Sequence, residues 1–221
     1  VAGDDATTFN DSHAPLVVVK DTLGYDRADP DLKIDKLDGD EDTCCDRIHI
    51  VYGDFDADAM DESPKQPYKK YRITYFARAL SQGGDEYYGL YRSKESWIQP
   101  LNILDPSASF GQWKFDCPDC YEGELVREYL TDMSFTAIGK YGEIIKADPV
   151  TNAENIYDIR SIDITLTFRS GTKKGFFRKL ATAAEPRIVK SLGRKAKPFL
   201  DKYLRDSIFV TVHTRNIQSL L

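Results

Sequence analysis

The chain has 221 residues, 41% apolar and 30% charged, with a formal net charge of −6. That is enough apolar material for a real core, and the length fits one all-β or α+β domain, with or without a large insertion. No apolar run approaches the roughly 18–20 residues of a membrane span; the longest is Leu16–Val19. No secretory leader pattern opens at Val1, and any membrane or export element is expected to have been removed or never present.

Residues 1–45 read as an irregular, acidic lead-in, with a short helix possible around 4–9 and turns at Asp29-Pro30 and Asp38-Gly39. Residues 1–62 hold 18 acidic against 5 basic residues, a net of −13. Two runs within this stretch suggest calcium. One is Asp38, Asp40 and Asp42; the other is Asp54, Asp56 and Asp58, backed by Asp61 and Glu62. Clustered carboxylates repel one another unless a hard cation or water screens them. Neither run is an EF-hand, because the sixth position is not Gly and the twelfth is His49 or Lys65 rather than Glu. A solvated acidic loop is the competing reading.

The cysteines fall as Cys44-Cys45 and Cys117-Pro-Asp-Cys120. An even count fits disulfides in an exported protein. Adjacent residues on a strand point to opposite faces, so Cys44 and Cys45 are not expected to bond each other; bridges from the 44/45 pair to the 117/120 pair are the first expectation among the three pairings that four cysteines allow. A zinc knuckle at the CxxC and reduced or redox-active thiols remain the other readings.

The first clear strand is 47–52, RIHIVY, followed by an acidic loop. Residues 71–79 alternate, with Tyr71, Ile73, Tyr75 and Ala77 on one face; Gly83-Gly84 turns the chain and 86–92 returns as a hairpin. Residues 105–124 read as an ordered loop stapled by sulfur. A strand follows within 125–138, with Met133, Phe135 and Ala137 inward, then a turn at Lys140-Tyr141-Gly142. Residues 159–168 alternate Ile162, Ile164, Leu166 and Phe168 with polar residues, and 207–214 form the last strand. These two are expected to be a hairpin of core strands. Consecutive strands with tight turns imply an antiparallel sheet.

Between them, residues 171–206 hold 11 basic against 3 acidic residues, a net of +8. Phe176, Phe177, Leu180 and Ala184 recur at three- and four-residue spacing, and similar sets follow Pro186 and Pro198, so the block is expected to be helical. The candidate partner-binding residues are Lys173, Lys174, Arg178, Lys179, Arg187, Lys190, Arg194, Lys195 and Lys197. Three readings stay open: a helical cap on the sheet, a dock for an acidic protein surface, or a grip on nucleic acid or an anionic membrane.

No nucleophile elbow, P-loop, dinucleotide fingerprint or HExxH occurs. His13, His49 and His213 are scattered. His49 and His213 could be neighbours across a sheet, and a satisfied structural role is expected of them. No catalytic constellation can be assembled from such residues.

The order of segments carries a resemblance. DRIHIVYGD is followed by YRITYFARAL, YYGLYR, LTDMSFTAI, IRSIDITLTFRS and, after the insertion, VTVHTRNIQ. Over roughly 46–170 and 207–218 this resembles the globular region of PilW-type minor pilins and J-type pseudopilins of type II secretion. The matching residues are Asp46, Leu90 to Arg92, Leu130 to Phe135, and Arg215-Asn216. Family members carry an N-terminal leader and hydrophobic helix, and the sequence is expected to begin after such a segment. The basic block stands where the family has a short connection.

The resemblance implies a single pilin-like domain over 1–221, of α+β class: mostly antiparallel sheet with a basic helical insertion at about 171–206. It implies a non-enzymatic assembly subunit at or near the tip of a pilus or pseudopilus, contacting other minor subunits. Such a subunit is anchored in the inner membrane and faces the periplasm before assembly, then joins the fibre. The rival class is an exported binding module whose basic insertion grips an anionic partner.

Overall fold

A computed structural model describes residues 14–20, 44–55, 68–82, 85–98, 112–147, 156–171, 187–189, 197–199 and 203–214. Within them run β1 (Leu16–Val19), β2 (Arg47–Phe55), β3 (Tyr68–Gln82), β4 (Asp85–Ile98), β5 (Gln112–Lys114), β6 (Tyr121–Gly139), β7 (Ile144–Ile145), β8 (Ile159–Arg169), β9 (Arg187–Val189), β10 (Lys197–Phe199) and β11 (Arg205–His213). One antiparallel sheet has the order β1-β2-β3-β4-β6-β8-β11, with β5 added to β4 and β7 to β6; β9 and β10 pair separately.

The expected α+β class is overturned. Among the described residues the architecture is almost entirely antiparallel sheet, and its helical content is a single 3-10 turn at Ile156–Asp158. The insertion fails as a helix where it is described. Arg187–Val189 pairs with Lys197–Phe199, Ile188 standing opposite Pro198. Ile188 and Val189 are β-branched and lose rotamer freedom in a helix. Pro198 has no amide hydrogen to give and fits a short, two-stranded edge. The lead-in also holds an element that its acidity hid: Leu16–Val19 is β1, paired with β2 from Leu16↔Ile50 to Val19↔Arg47.

The sheet curls on itself. Val18 N–H donates to the Ala147 carbonyl (2.8 Å), just beyond β7, and Asp46 N–H donates to the Met133 carbonyl (2.8 Å) on β6. The buried Asp46 carboxylate completes this seam, accepting from Phe135 N–H (2.8 Å) and from Lys20 Nζ (2.7 Å). Asp46 in this way pairs backbone groups of Met133 and Phe135 on β6, and buried backbone groups left unpaired are costly. The curl encloses one apolar core, with Leu16, Ile48, Ala77, Leu90, Leu130, Met133, Phe135, Ile162 and Phe168 buried in it. The expected inward set Met133, Phe135 and Ala137 lies there, as period-two alternation requires.

At the base of the insertion the chain is pinned. Ser170 N–H donates to the Leu204 carbonyl (2.8 Å), and Leu204 N–H donates to Ser170 Oγ (3.2 Å). Arg169 lies over the buried Tyr203 ring at 4.1 Å, and Tyr87 stacks on Tyr129 at 4.6 Å. Tyr129 has a positive φ of 64°, beside the β-bulges where β6 changes register against β4. Such a bulge re-aims the strand.

The expected bridges between the two cysteine pairs do not form. Cys44 bonds Cys45 and Cys117 bonds Cys120. Cys44 and Cys45 precede β2, so the opposite-face argument, which holds for residues in strands, does not apply to them.

Candidate interaction edge

Two places concentrate functional groups. The first is a polar ladder on the face of β2–β4 turned away from the apolar core. Register places His49 opposite Thr74, Thr74 opposite Ser93, and Arg72 opposite Glu95. All of these side chains, and Arg47 beside them, are buried. His49 Nδ1 lies 2.9 Å from Thr74 Oγ1. Arg72 reaches Glu95 Oε2 through Nε (2.9 Å) and a terminal nitrogen (2.8 Å), and its guanidinium packs 4.8 Å from the Trp113 ring of β5.

The electrostatics of this ladder argue against general-base chemistry. Burial pushes the His49 pKa well below its usual 6.5, and the Arg47 and Arg72 cations push it further down. A catalytic imidazole is normally held by a carboxylate that stabilises its protonated form; here cations oppose protonation. His49 is a neutral, hydroxyl-bonded structural histidine. His213 lies on β11, at the far end of the strand order from β2, so the two histidines are not neighbours.

The second place is β11. Sequence alternation marks it as a strand but not as an edge, and it is not the core strand that its apolar run suggests. It pairs with β8 along its whole length, from Arg205↔Arg169 to His213↔Ser161. Among the described residues no strand continues the sheet beyond it. Ile208, Phe209, Val210 and Val212 are 45%, 57%, 45% and 43% exposed. Ile208, Val210 and Val212 share the face that carries Ile162, Ile164, Leu166 and Phe168 on β8, so among the described residues the apolar face of the sheet runs out to a solvent-exposed edge, with β9 lying near β11. The other face is polar: Ser207 Oγ lies 2.8 Å from Thr167 Oγ1, and Thr211 Oγ1 donates to Asp163 Oδ1 (2.7 Å). Natural edge strands are usually short, charged or broken by proline or a bulge. The run from Ser207 to Val212 has none of these devices.

The residues singled out in the sequence fall as follows. Asp54 lies one residue before the end of β2, exposed, its Oδ1 accepting from Phe55 N–H (2.8 Å) and its backbone opposite Lys69. Asp56, Asp58, Asp61 and Glu62 lie outside the described residues, as do Asp38, Asp40 and Asp42. Among the basic candidates, Arg187 and Lys197 belong to the β9–β10 pair; Lys173, Lys174, Arg178, Lys179, Lys190, Arg194 and Lys195 lie outside the described residues. Among the described residues, one group brings three metal-ligating residues together: Cys44, Cys45 and Asp132, with donor atoms within 4.8 Å of one another. The two sulfurs are bonded to each other, and a metal takes thiolates, so this group offers no soft-metal site while the bond stands. Comparison with protein-family models, curated proteins and solved structures returns no match.

Proposed function

We propose that this chain is a non-enzymatic assembly subunit whose β11 flank docks a protein neighbour, of the minor pilin or pseudopilin kind that its strand order resembles. The observation that carries the reading is the exposed apolar flank: Ile208, Val210 and Val212 extend the core face of β8 into solvent, and Phe209 stands out on the other side. Contiguous apolar surface rimmed by polar groups marks an interaction site more often than a solvated one. Cysteines that are all paired point the same way, since pairing suits an oxidising compartment. On this reading the protein acts outside the cytoplasm, first beside the inner membrane and then within a fibre or pseudofibre, and its partners are other subunits of that assembly.

The test is the fate of the full-length gene product in its native host. The reading expects a prepilin-type leader followed by about 20 apolar residues, with the protein recovered from membranes and from sheared surface fibres. A freely soluble exported product with a plain cleaved signal peptide contradicts it and favours an exported binding module instead.

A further inference from the structure

The backbone of β11 carries a hydrogen-bonding code that can be read from its two ends. Thr214 N–H donates to the Arg160 carbonyl, and Ser170 N–H donates to the Leu204 carbonyl, both at 2.8 Å. In an antiparallel ladder, alternate residues turn both backbone groups to the same neighbour. Even-numbered residues of β11 therefore bond β8, and the odd ones turn N–H and C=O outward. The outward set includes Ser207, Phe209, Thr211 and His213.

That outward row is close to self-complementary. Two copies of one edge strand can pair antiparallel only about a two-fold axis perpendicular to the sheet, and the axis must pass through a residue pair. Placing it at Phe209 puts Phe209 opposite its own copy, Ser207 opposite Thr211, and Ile208 opposite Val210. Hydroxyl meets hydroxyl, Ile208 meets Val210 and rings pair at the centre, while Val212 falls opposite Asp206. No charge lies between Ser207 and Val212. Shifting the axis to any other residue from Ser207 to Thr211 also joins odd residues to odd ones, but it shortens the paired length within the strand and separates the two phenylalanines.

We infer that β11 pairs with β11 of a second copy of this chain, antiparallel and centred on Phe209, continuing the sheet across a two-fold axis. The central residues alone would form about six main-chain hydrogen bonds. Ile208, Val210 and Val212 leave an apolar strip open on one face of the strand and Phe209 leaves a ring open on the other, and exposed apolar surface of this kind marks interaction sites. With the strand backbone included, pairing buries on the order of 1,000 Å² in total, near the lower limit for a specific interface. The dimer is therefore weak and concentration-dependent, a subunit contact rather than an obligate one. This inference rests on the assembly reading only in taking β11 as the docking flank.

The code offers a test that separates pairing from folding. Phe209→Pro deletes an outward N–H and leaves the β8 ladder intact. Phe209→Lys places two ammonium groups across the axis at a site already open to solvent. Sedimentation velocity from about 1 to about 500 μM is expected to show a monomer–dimer equilibrium for the wild type, weakened at least about 30-fold in both variants, with unchanged far-ultraviolet circular dichroism. The register is checked by oxidative cross-linking. The four native cysteines are already paired, so Phe209→Cys is expected to give a linked dimer, and Val210→Cys, two residues out of register with its copy, is not. A wild type that stays monomeric at 500 μM overturns the inference, as does a dimer indifferent to Phe209→Pro and Phe209→Lys, or cross-linking at 210 but not 209. A monomeric result leaves the leader and fibre-recovery test of the assembly reading untouched. A leaderless product would overturn that reading without touching the dimer.

Discussion

His49 makes stability depend on pH in a way that can be worked out in advance. In the folded chain its imidazole is buried beside Arg47 and Arg72 and resists protonation; in the unfolded chain it takes a proton near 6.5. Its folded pKa is thus the lower one. Stability is full above about 6.5 and falls as the pH drops, because the unfolded state then binds a proton that the folded state refuses. One such proton is worth about 1.4 kcal/mol between pH 7.5 and pH 5.5. Urea unfolding at pH 7.5, 6.5 and 5.5 measures this directly. Carboxylates titrate alongside, so the comparison that isolates the histidine is with His49→Gln. The variant is expected to be weaker by about 1–3 kcal/mol at pH 7.5, through the lost contact with Thr74. The gap should then close by about 1.4 kcal/mol at pH 5.5. Wild-type and variant curves that run parallel across this window would refute the burial of a neutral His49.

Asp46→Ala removes the acceptor that holds Phe135 N–H and Lys20 at the sheet's seam, and should lower unfolding free energy by about 2–4 kcal/mol in urea. Glu95→Ala strands the buried Arg72 cation and should cost about 3–5 kcal/mol, whereas Arg72→Met with Glu95→Leu should cost much less; equal losses would contradict a desolvated pair. Gly171→Ala would put a Cβ 2.6 Å from the Tyr129 ring, and thermal melting should reveal a loss of about 1–3 kcal/mol as the insertion's base is forced apart.

The strands with period-two alternation were legible in the sequence because one apolar face is buried along most of their length. Residues 47–52 lie in β2, 71–79 in β3, 86–92 in β4 and 159–168 in β8; each strand extends further than its alternation suggests, since ladder hydrogen bonds continue where side chains turn polar. The expected hairpin is seen in the pairing of β3 with β4 up to Gln82↔Asp85, and Gly83-Gly84 lie outside the described residues. What failed has physical causes. β1 has four residues inside an acidic stretch, too short for periodicity to register. In the insertion, a three- and four-residue apolar recurrence suggested helices, but Ile188, Val189 and Pro198 belong to a two-stranded pair, where local β preference decides. The polar ladder was invisible because it exists only across three strands: Arg47, Thr74 and Glu95 look like solvent-facing residues until register stacks them. The exposure of β11 was equally hidden. An apolar run such as Ile208-Phe209-Val210 reads as core, and only strand order reveals that it is the last strand in line.

Amide hydrogen exchange along β11, followed against protein concentration, tests the central claim most directly. At low concentration the amides of Ile208, Val210 and Val212, bonded to β8, should be protected, and those of Ser207, Phe209 and Thr211 should exchange freely. As concentration rises, the second set should become protected and the first should change little. Protection of Phe209 and Thr211 at every concentration would mean that another part of the same chain covers the edge. Free exchange at every concentration would mean that nothing pairs there, and either result would contradict a docking edge filled by a second copy.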